Sequence, residues 1–328
     1  MQVKDIGEFG LIARLMAASA PRDGVIVSSG DDAAVVEVTP GLRVVFTCDC
    51  MVEDVHFLRI AQGRDVGYKL MASNVSDIAA MGGRPRYAVV TLVTPADEDV
   101  AWLLDVYAGI RECAAQYGCQ IVGGDTSRGP KLMLSVALLG EVVPGREMLR
   151  SGATPGDLVC VSSSLGGSHA GLQVAVGKVG GFSPAITGAL TKHFRPQVPL
   201  ELAIALSELG CRSANDISDG LASEAMEIAS ASRVCLELES ARIPVAPEAL
   251  AIAHQLGDNP LHYALYGGEE YALLFCLPHA LADELILRFP GTHIIGRVVT
   301  GEGVFLLHSG HRERLRAAYT HFGNSSVL

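Results

Sequence analysis

Aspartates beside glycine or serine recur along this sequence, and they are the residues best suited to do chemistry. They occur in SSGDDAAVV, VVFTCDC, NVSDIAAMGG, IVGGDTSRG and ANDISDGLASE, at Asp31, Asp32, Asp49, Asp77, Asp125, Asp216 and Asp219. Clustered carboxylates repel one another unless a cation lies between them. Oxygen ligands without a histidine or cysteine cluster favour Mg²⁺ or Mn²⁺ over zinc. The set therefore predicts a site for divalent metal.

Each of these aspartates also has a purely structural interpretation, because aspartate beside glycine commonly forms a turn or caps a helix. Asp219, for example, could cap a helix that begins at Gly220. Asp49, Asp125 and Asp216, however, are each expected at the end of a strand. Such strand ends would converge on one edge of a sheet, and this convergence favours a shared metal site.

The segment NVSDIAAMGGRPRY places Asn74 and Asp77 on one face of a predicted helix, since residues three apart are neighbours. Both residue types are poor helix formers in a helix interior. One interpretation is a polar stripe that faces water, or a carboxylate bonded near the helix end. The other is a pair of groups held towards a metal.

The residues near these motifs suggest phosphate binding, because Mg²⁺ is usually held by a few carboxylates together with substrate phosphates. Arg128 and Arg150 lie near the motifs, and Gly123 and Gly124 would let the backbone approach a ligand closely. The sequence has no P-loop, no GxGxxG opening a helix, no kinase motif set and no GxSxG. If the protein binds ATP, metal must neutralise the phosphate charge in place of a P-loop lysine.

Composition limits the class of protein. The 328 residues are 49% apolar and 19% charged, enough for one large domain or two medium ones, and the net charge is −11. An acidic chain without a basic run argues against nucleic-acid binding. No apolar run approaches the ~18 to 20 residues that span a bilayer, and the first residues do not resemble a signal peptide. Eight cysteines form no CxxC pair, as expected for reduced thiols in a cytoplasmic enzyme.

Hydrophobic periodicity predicts two α/β units. In the first, we expect helices at 7–18, 65–81 and 97–117 and strands at VIVSS, AAVVEV, RVVFTC, RYAVVTLV, CQIVGG and KLMLSVALLGEVV. The segment PGREMLRSGATPGD then lacks periodicity and is rich in Pro and Gly, so we expect a domain boundary near residue 147. In the second, we expect strands at DLVCVSSS and EYALLFCL and helices near 166–176, 199–208, 220–231 and 278–289.

Eight ordered motifs resemble those of the thiamine-monophosphate kinase family, which shares a superfamily with aminoimidazole ribonucleotide synthetase and selenophosphate synthetase. They are GEFGLIARL, GDDAAVV, YKLMASNVSDIAAMGGRPRY, GGDTSRG, RSGATPGD, DISDGLASE, GGEEYALLF and YTHF. The resemblance implies an α/β (α+β) two-domain fold of the aminoimidazole ribonucleotide synthetase type. Residues 1–147 would form a mixed-sheet domain that binds ATP and Mg²⁺ and dimerises, and residues 148–328 an α/β domain. It also implies ATP-dependent phosphorylation of thiamine monophosphate to thiamine diphosphate by a homodimer that uses several Mg²⁺ ions.

The resemblance also assigns roles to single residues. The implied metal ligands are Asp32, Thr47, Cys48, Asp49, Asp77, Asp125, Asp216 and Asp219. The implied nucleotide contacts are Tyr107, Gly124, Asp125, Arg150 and Ser218. The implied contacts to thiamine monophosphate are His56, Glu269 and Tyr319.

Two segments depart from the family pattern, and two of the assignments have a structural alternative. Cysteines flank Asp49, and Cys48 suits Mg²⁺ only through its backbone carbonyl; GGEEYAL replaces the more usual GGEDYEL. These departures bear on the details of the substrate pocket. His56 could instead be an interior histidine, and Tyr319 a packing residue.

The expected chemistry needs no general base and no covalent nucleophile, because the acceptor is a phosphate monoester whose oxygen is already anionic. Phosphoryl transfer depends mainly on positioning and charge stabilisation. Alternatives within the superfamily are enzymes that use ATP to activate a carbonyl or amide oxygen. Alternatives outside this chemistry are a two-metal phosphatase, whose GDxH and GNH[DE] histidines are missing, and a non-catalytic nucleotide-binding module.

Overall fold

The computed structural model describes residues 1–17, 23–28 and 33–316. Contacts divide the chain into two compact units. Unit 1 comprises Met1–Ile78 and Gly83–Pro144, and unit 2 comprises Ala79–Gly82 and Gly145–Leu328. The boundary near residue 147 stays a prediction of domain organisation. In the described residues, no helix is both long enough and apolar enough to cross a membrane.

Unit 1 combines helices with a two-stranded and a four-stranded sheet. Its described elements are α1 (Val3–Met16), β1 (Val25–Val27), β2 (Val35–Val36), β3 (Arg43–Val52), α2 (Gly63–Ala80), β4 (Arg84–Thr94), α3 (Val100–Gln116), β5 (Gln120–Arg128) and β6 (Met133–Val142). The four-stranded sheet has the order β3-β6-β4-β5, in which only the β4/β5 pair is parallel. β3 and β5 are therefore its two edges.

The two faces of this sheet differ because side chains alternate along each strand. The covered face includes Thr47 and Asp49 on β3 and packs against α2. The open face includes Val44, Phe46 and Val89, all exposed, with Phe46 at 69%. An exposed apolar surface of this kind is typical of an interaction site.

Helices α2 and α3 cross with their backbones in contact. A Cβ atom on Gly67 would lie 1.9 Å from the Val106 carbonyl oxygen, and one on Gly109 would lie 1.8 Å from the Arg64 carbonyl oxygen. Only glycine fits at these two positions. The crossing fixes α2, which carries Asp77, against α3, which carries Tyr107.

Unit 2 contains a seven-stranded sheet with helices packed around it. Its described elements are β7 (Leu158–Val161), α4 (Gly167–Ala175), α5 (Pro184–Phe194), α6 (Leu200–Leu209), β8 (Ser213–Asp216), α7 (Leu221–Ser232), β9 (Cys235–Glu239), α8 (Pro247–Leu256), α9 (Pro260–Tyr266), β10 (Leu273–Leu277), α10 (His279–Arg288), β11 (His293–Val299), β12 (Gly303–His308) and β13 (His311–Arg314). The strand order is β13-β12-β9-β11-β7-β10-β8, and only β9 and β12 are parallel.

The core of unit 2 lies between this sheet and α7, with Leu221, Ile228, Leu236 and Leu274 among its fully buried residues. A second apolar cluster joins α4, α5 and α8. The sequence predicted α4, α6, α7 and α10 within a few residues. It missed α5, α8, α9, β9 and the strands after α10, whose short apolar runs carry little periodicity.

Candidate nucleotide and metal site

Asn74 and Asp77 point from α2 to the covered face of the sheet in unit 1. Asn74 is 0% exposed, and its Oδ1 accepts a hydrogen bond from the Asp49 N–H at 3.0 Å. The Thr47 hydroxyl donates to the Asp77 carboxylate. The interpretation of this stripe as water-facing is therefore wrong for Asn74. Helix α2 places the Asp77 carboxylate against Thr47, which lies two residues before Asp49 on the same face of β3.

Asp49 lies in a buried, polar environment. Burial raises the pKa of its carboxyl above the usual value, while a hydrogen bond with Ser73 and the nearby His56 act in the opposite direction. His56 follows β3 in a turn, and its Nδ1 accepts a hydrogen bond from the Val52 N–H at 3.0 Å. His56 thus lies beside the Asp49 block, as the sequence predicts.

Three of the predicted nucleotide contacts line one cleft of about 870 Å³ in unit 1: Tyr107, Gly124 and Asp125. Tyr107 is buried in α3, and this burial raises the pKa of its hydroxyl. Gly124 lies so close to β4 that a Cβ atom would be 2.0 Å from the Val90 carbonyl oxygen. The rest of the lining is mostly apolar and includes Phe46 and Val89 of the open sheet face.

The predicted convergence of strand-end aspartates is wrong for unit 1. Asp49 lies inside β3 and Asp125 inside β5, because both strands continue past these residues. Cys50 pairs with Ser135, Ser135 with Thr91, and Thr91 with Asp125, so Asp125 shares the face of Cys50, opposite to Asp49. β3 and β5 are also three strand spacings apart, about 14 Å.

The donor chemistry around Asp49 fits a hard divalent cation in kind, since the side chains of Asp49, Asp77 and Thr47 offer only oxygen. The side chain of Cys48 is exposed on the opposite face, with its Sγ 3.2 Å from the Ser135 Oγ. Within residues 1–17, 23–28 and 33–316, no three or more His, Cys, Asp or Glu side chains form a group that could hold a metal. The described part of a single chain thus supplies only a fraction of the expected shell.

In unit 2, the segment from Asp216 to Asp219 links the end of β8 to the start of α7. Asp216 ends β8 and is almost fully buried, as the sequence predicts. Asp219 is not the N-cap residue of α7, because that position is Gly220. The N-cap interpretation of Asp219 is therefore wrong.

Glu224 is a buried carboxylate that the sequence analysis missed. It lies on the apolar face of α7 with Leu221, Ala225 and Ile228. A carboxylate on the apolar face of a predicted helix could have been recognised from the sequence. Burial, together with the Asp216 carboxylate, raises the pKa of Glu224 to about 9, while the hydrogen bond from the Asp219 N–H opposes the shift.

Arg150 is held by two side chains of unit 2. Its Nε donates to the Asn215 Oδ1 at 3.1 Å, and its terminal nitrogen lies 3.1 Å from the Glu227 Oε2. The guanidinium is about half exposed, so one side remains open to solvent. Asn215 and Glu227 were also missed by the sequence analysis.

Glu269 lies directly beside Ser218. Its N–H donates to the Ser218 carbonyl oxygen at 2.7 Å, and its backbone has a φ of 61°, which is unusual for a residue with a side chain. The Glu269 carboxylate lies 3.6 Å from the Nδ1 of His193, and the Ser168 hydroxyl lies 3.2 Å from the same nitrogen. The structure thus brings a predicted acceptor contact next to a predicted nucleotide contact.

Glu270, the departure from the family's GGEDYEL pattern, has a structural role in this chain. Its carboxylate accepts a hydrogen bond from the Ser168 N–H at 3.0 Å, at the first turn of α4. Burial raises the pKa of Glu270 to about 7, and this backbone hydrogen bond opposes the shift. Glutamate, which is longer than the aspartate usual at this position, therefore binds the first turn of α4.

Two predicted site residues lie outside the described residues: the metal ligand Asp32 and the acceptor contact Tyr319. Asp31, from the same motif as Asp32, is also outside them. Their roles stay predictions from the sequence.

Comparison with known proteins places both units in one class. Residues 30–142 match the family model described as AIR synthase related protein, N-terminal domain, and residues 154–309 match the corresponding C-terminal domain. The thiamine-monophosphate kinase of Aquifex aeolicus (strain VF5) is 37% identical over 93% of this chain and 96% of its own length. That of Bacillus subtilis (strain 168) is 36% identical over 81% of this chain and 82% of its own. The chain belongs to the thiamine-monophosphate kinase family.

Solved structures give the same result. A thiamine-monophosphate kinase from Stenotrophomonas maltophilia K279a has a TM-score of 0.83 at 29% identity, over 92% of this chain and 96% of that chain. AaThiL complexed with AMPPCP and TMP has a TM-score of 0.79 at 35% identity, over 97% and 98%. The hydrogenase maturation protein HypE of E. coli, at 22% identity and a TM-score of 0.77, over 93% and 96%, shares the fold.

These comparisons confirm two expectations from the sequence motifs. The first is membership of the thiamine-monophosphate kinase family. The second is an α/β (α+β) two-domain fold of the aminoimidazole ribonucleotide synthetase type. The individual site residues are not tested by them and stay predictions.

Proposed function

We propose that this chain transfers the γ-phosphoryl group of ATP to the phosphate of thiamine monophosphate, which gives thiamine diphosphate and ADP. The match of both units to thiamine-monophosphate kinases carries this proposal. It favours this reaction over another ATP-dependent reaction of the superfamily and over a non-catalytic nucleotide-binding module.

On the nucleotide side, the proposed contacts come from both units. Tyr107, Gly124 and Asp125 line the cleft of unit 1. Arg150 and Ser218 belong to unit 2, where the half-exposed Arg150 guanidinium can bind a phosphate oxygen on its open side. A guanidinium matches phosphate well because it offers several N–H donors in a fixed plane.

On the acceptor side, we assign His56 and Glu269, together with Tyr319. The hydrogen bond between the Glu269 N–H and the Ser218 carbonyl supports this assignment. It holds Glu269, a proposed contact to thiamine monophosphate, directly beside Ser218, a proposed contact to the nucleotide. Two phosphates that react in line must be held close together, and rigid neighbouring segments supply that positioning.

The proposed cofactor is Mg²⁺. Asp49 and Asp77 would hold it on the covered face, with Thr47 and the Cys48 carbonyl, and Asp216 and Asp219 would do so in unit 2. When bound, Mg²⁺ neutralises the charge on the transferring phosphate. The protein residues then orient the two substrates, and no side chain needs to remove a proton.

We propose a homodimer, because unit 1 has an exposed apolar sheet face and two open edges. Val44, Phe46 and Val89 would be covered by a second copy. Within one chain, Asp49 and Asp125 are too far apart to share an ion whose Mg–O distance is about 2.1 Å. A site that used both aspartates would therefore need two copies.

The test is to incubate the protein with ATP, Mg²⁺ and thiamine monophosphate and to measure thiamine diphosphate by chromatography. Free thiamine is the matched control acceptor, because its hydroxyl, unlike an anionic phosphate oxygen, must lose a proton in order to attack. We expect product from thiamine monophosphate and little or none from thiamine. Equal turnover of both acceptors would contradict the proposal.

A further inference from the structure

One buried carboxylate, Glu224, contacts the segment on which the proposed nucleotide site of unit 2 depends. Glu224 is 2% exposed in the first turn of α7. Its Oε1 accepts hydrogen bonds from the Asp219 N–H at 3.1 Å and from the Ser218 hydroxyl at 3.3 Å. Its Oε2 accepts a hydrogen bond from the Asn215 amide.

Asn215 continues this network to Arg150. The Asn215 Oδ1 accepts from the Arg150 Nε at 3.1 Å, and the Asn215 amide nitrogen lies 2.9 Å from the Glu227 Oε2. Asn215 itself is buried and has its amide orientation fixed by these contacts. The chain of hydrogen bonds therefore runs from Glu224 through Asn215 to Arg150.

A carboxylate in this position is unfavourable for folding unless its hydrogen bonds compensate for the loss of water. An apolar residue would fit the apolar face of α7 and avoid that cost. A purely structural role would be to satisfy the N–H groups at the start of α7. That role does not require the contact to Asn215, which lies on β8 and leads to Arg150.

We propose that Glu224 is a positioning residue for the nucleotide: it fixes Ser218 and Asp219 directly, and Arg150 through Asn215. The proposal rests on the proposed function for the assignment of Ser218 and Arg150 as nucleotide contacts. The network itself is independent of that assignment.

The test uses Glu224→Gln in the full-length protein. The amide keeps the length of the side chain and one oxygen, but its NH₂ group would face the NH₂ group of Asn215. We expect the Kd for AMPPCP with Mg²⁺, measured by calorimetry, to rise at least about tenfold. The KM for thiamine monophosphate should change less than the KM for ATP.

The matched control is Asp157→Asn, which removes another buried carboxylate of unit 2. Asp157 accepts hydrogen bonds from the Thr154 N–H and hydroxyl and lies outside the network. Its loss should lower the thermal midpoint and leave the AMPPCP affinity unchanged. If Glu224→Gln does not fold, Glu224→Asp carries the same expectation, because its shorter side chain cannot reach both Asn215 and Asp219.

Amide hydrogen exchange gives a readout without any ligand. In Glu224→Gln, the Asp219 N–H should exchange faster than in the wild type, because repulsion between the new NH₂ group and the Asn215 NH₂ group displaces the oxygen that accepts its hydrogen bond. If the wild type did not phosphorylate thiamine monophosphate, the proposed function would fall, while this exchange would still report on the network. An AMPPCP affinity within about twofold of the wild type would overturn the positioning role.

Discussion

Asn74 serves the fold and the candidate site at once. Its amide satisfies the backbone of β3 at Asp49, and one helical turn later Asp77 reaches Thr47 on the same strand. The sequence correctly predicted that the two side chains share a face of α2. It could not show that this face is buried, because burial depends on the sheet that packs against it.

At Asp77, the role of charge can be separated from the role of shape. Asp77→Asn keeps the side-chain length and an oxygen that can accept from Thr47, but it removes a charge from the proposed metal site. We expect kcat to fall at least about 100-fold, because metal-bound phosphate charge contributes several kcal/mol and each 1.36 kcal/mol is tenfold.

The control for this variant is Asp97→Asn, an exposed aspartate of unit 1. It should keep wild-type kcat. Circular dichroism of both variants would check folding, and titration with Mg²⁺ would test whether the loss is in metal binding. A folded Asp77→Asn enzyme with more than about a tenth of the wild-type rate would make Asp77 a structural residue.

Arg150 and His56 should have opposite kinetic effects. Arg150→Ala should raise the KM for ATP more than that for thiamine monophosphate, because a charge-assisted contact contributes roughly 1.5 to 3 kcal/mol. His56→Ala should do the reverse. Arg146→Ala is the control, because Arg146 donates to carbonyl oxygens of α6. If Arg150→Ala and His56→Ala raise the same KM, the assignment of the two sides of the site is wrong.

At the scale of the elements, the sequence predicted the helices and strands of unit 1 well but not where β3 and β5 end. Both strands continue through polar residues. Because the apolar runs stop at Asp49 and Asp125, the sequence pattern predicted strand ends there. Either face of a sheet can hold polar residues when a neighbouring strand or helix forms hydrogen bonds with their side chains. The order β3-β6-β4-β5 depends on pairing between distant segments, so no local pattern could reveal it.

The pair Gly123 and Gly124 allows a direct test of how β5 packs. A Cβ atom at Gly124 would collide with the backbone of Val90, whereas one at Gly123 would meet only the Val89 side chain at 3.8 Å. Gly124→Ala should therefore lower the free energy of unfolding by about 2 kcal/mol or more. Gly123→Ala should change it by less than about 1 kcal/mol. Urea unfolding of both variants measures the difference, and equal losses would mean that β4 and β5 are not this close.

At the scale of the whole molecule, the open sheet face should control assembly. Phe46→Asp places a charge in the proposed interface, so we expect a monomer by analytical ultracentrifugation. Phe182→Asp is the control, because Phe182 is fully exposed in a loop of unit 2. A dimeric Phe46→Asp protein would mean that this face is not the interface.

Mixing two inactive variants tests whether the site is shared between copies. If Asp49 and Asp125 of different copies form one site, a dimer of Asp49→Asn and Asp125→Asn chains contains one fully mutated and one intact site. Random exchange of equal amounts should restore about a quarter of wild-type activity, because half of the dimers are mixed and each has one intact site. No recovery after confirmed exchange would mean that Asp49 and Asp125 of different copies do not form one site.

The close crossing of α2 and α3 at Gly67 and Gly109 limits which substitutions this protein can accept. At either position, the atom that blocks a side chain belongs to the main chain of the other helix, so no second substitution can make room for it. A tolerated change would require the two helices to separate, and that would displace Asp77 and Tyr107 together. Neutral substitution of either glycine is therefore excluded. Sequence divergence among descendants of this gene must occur at other positions of α2 and α3.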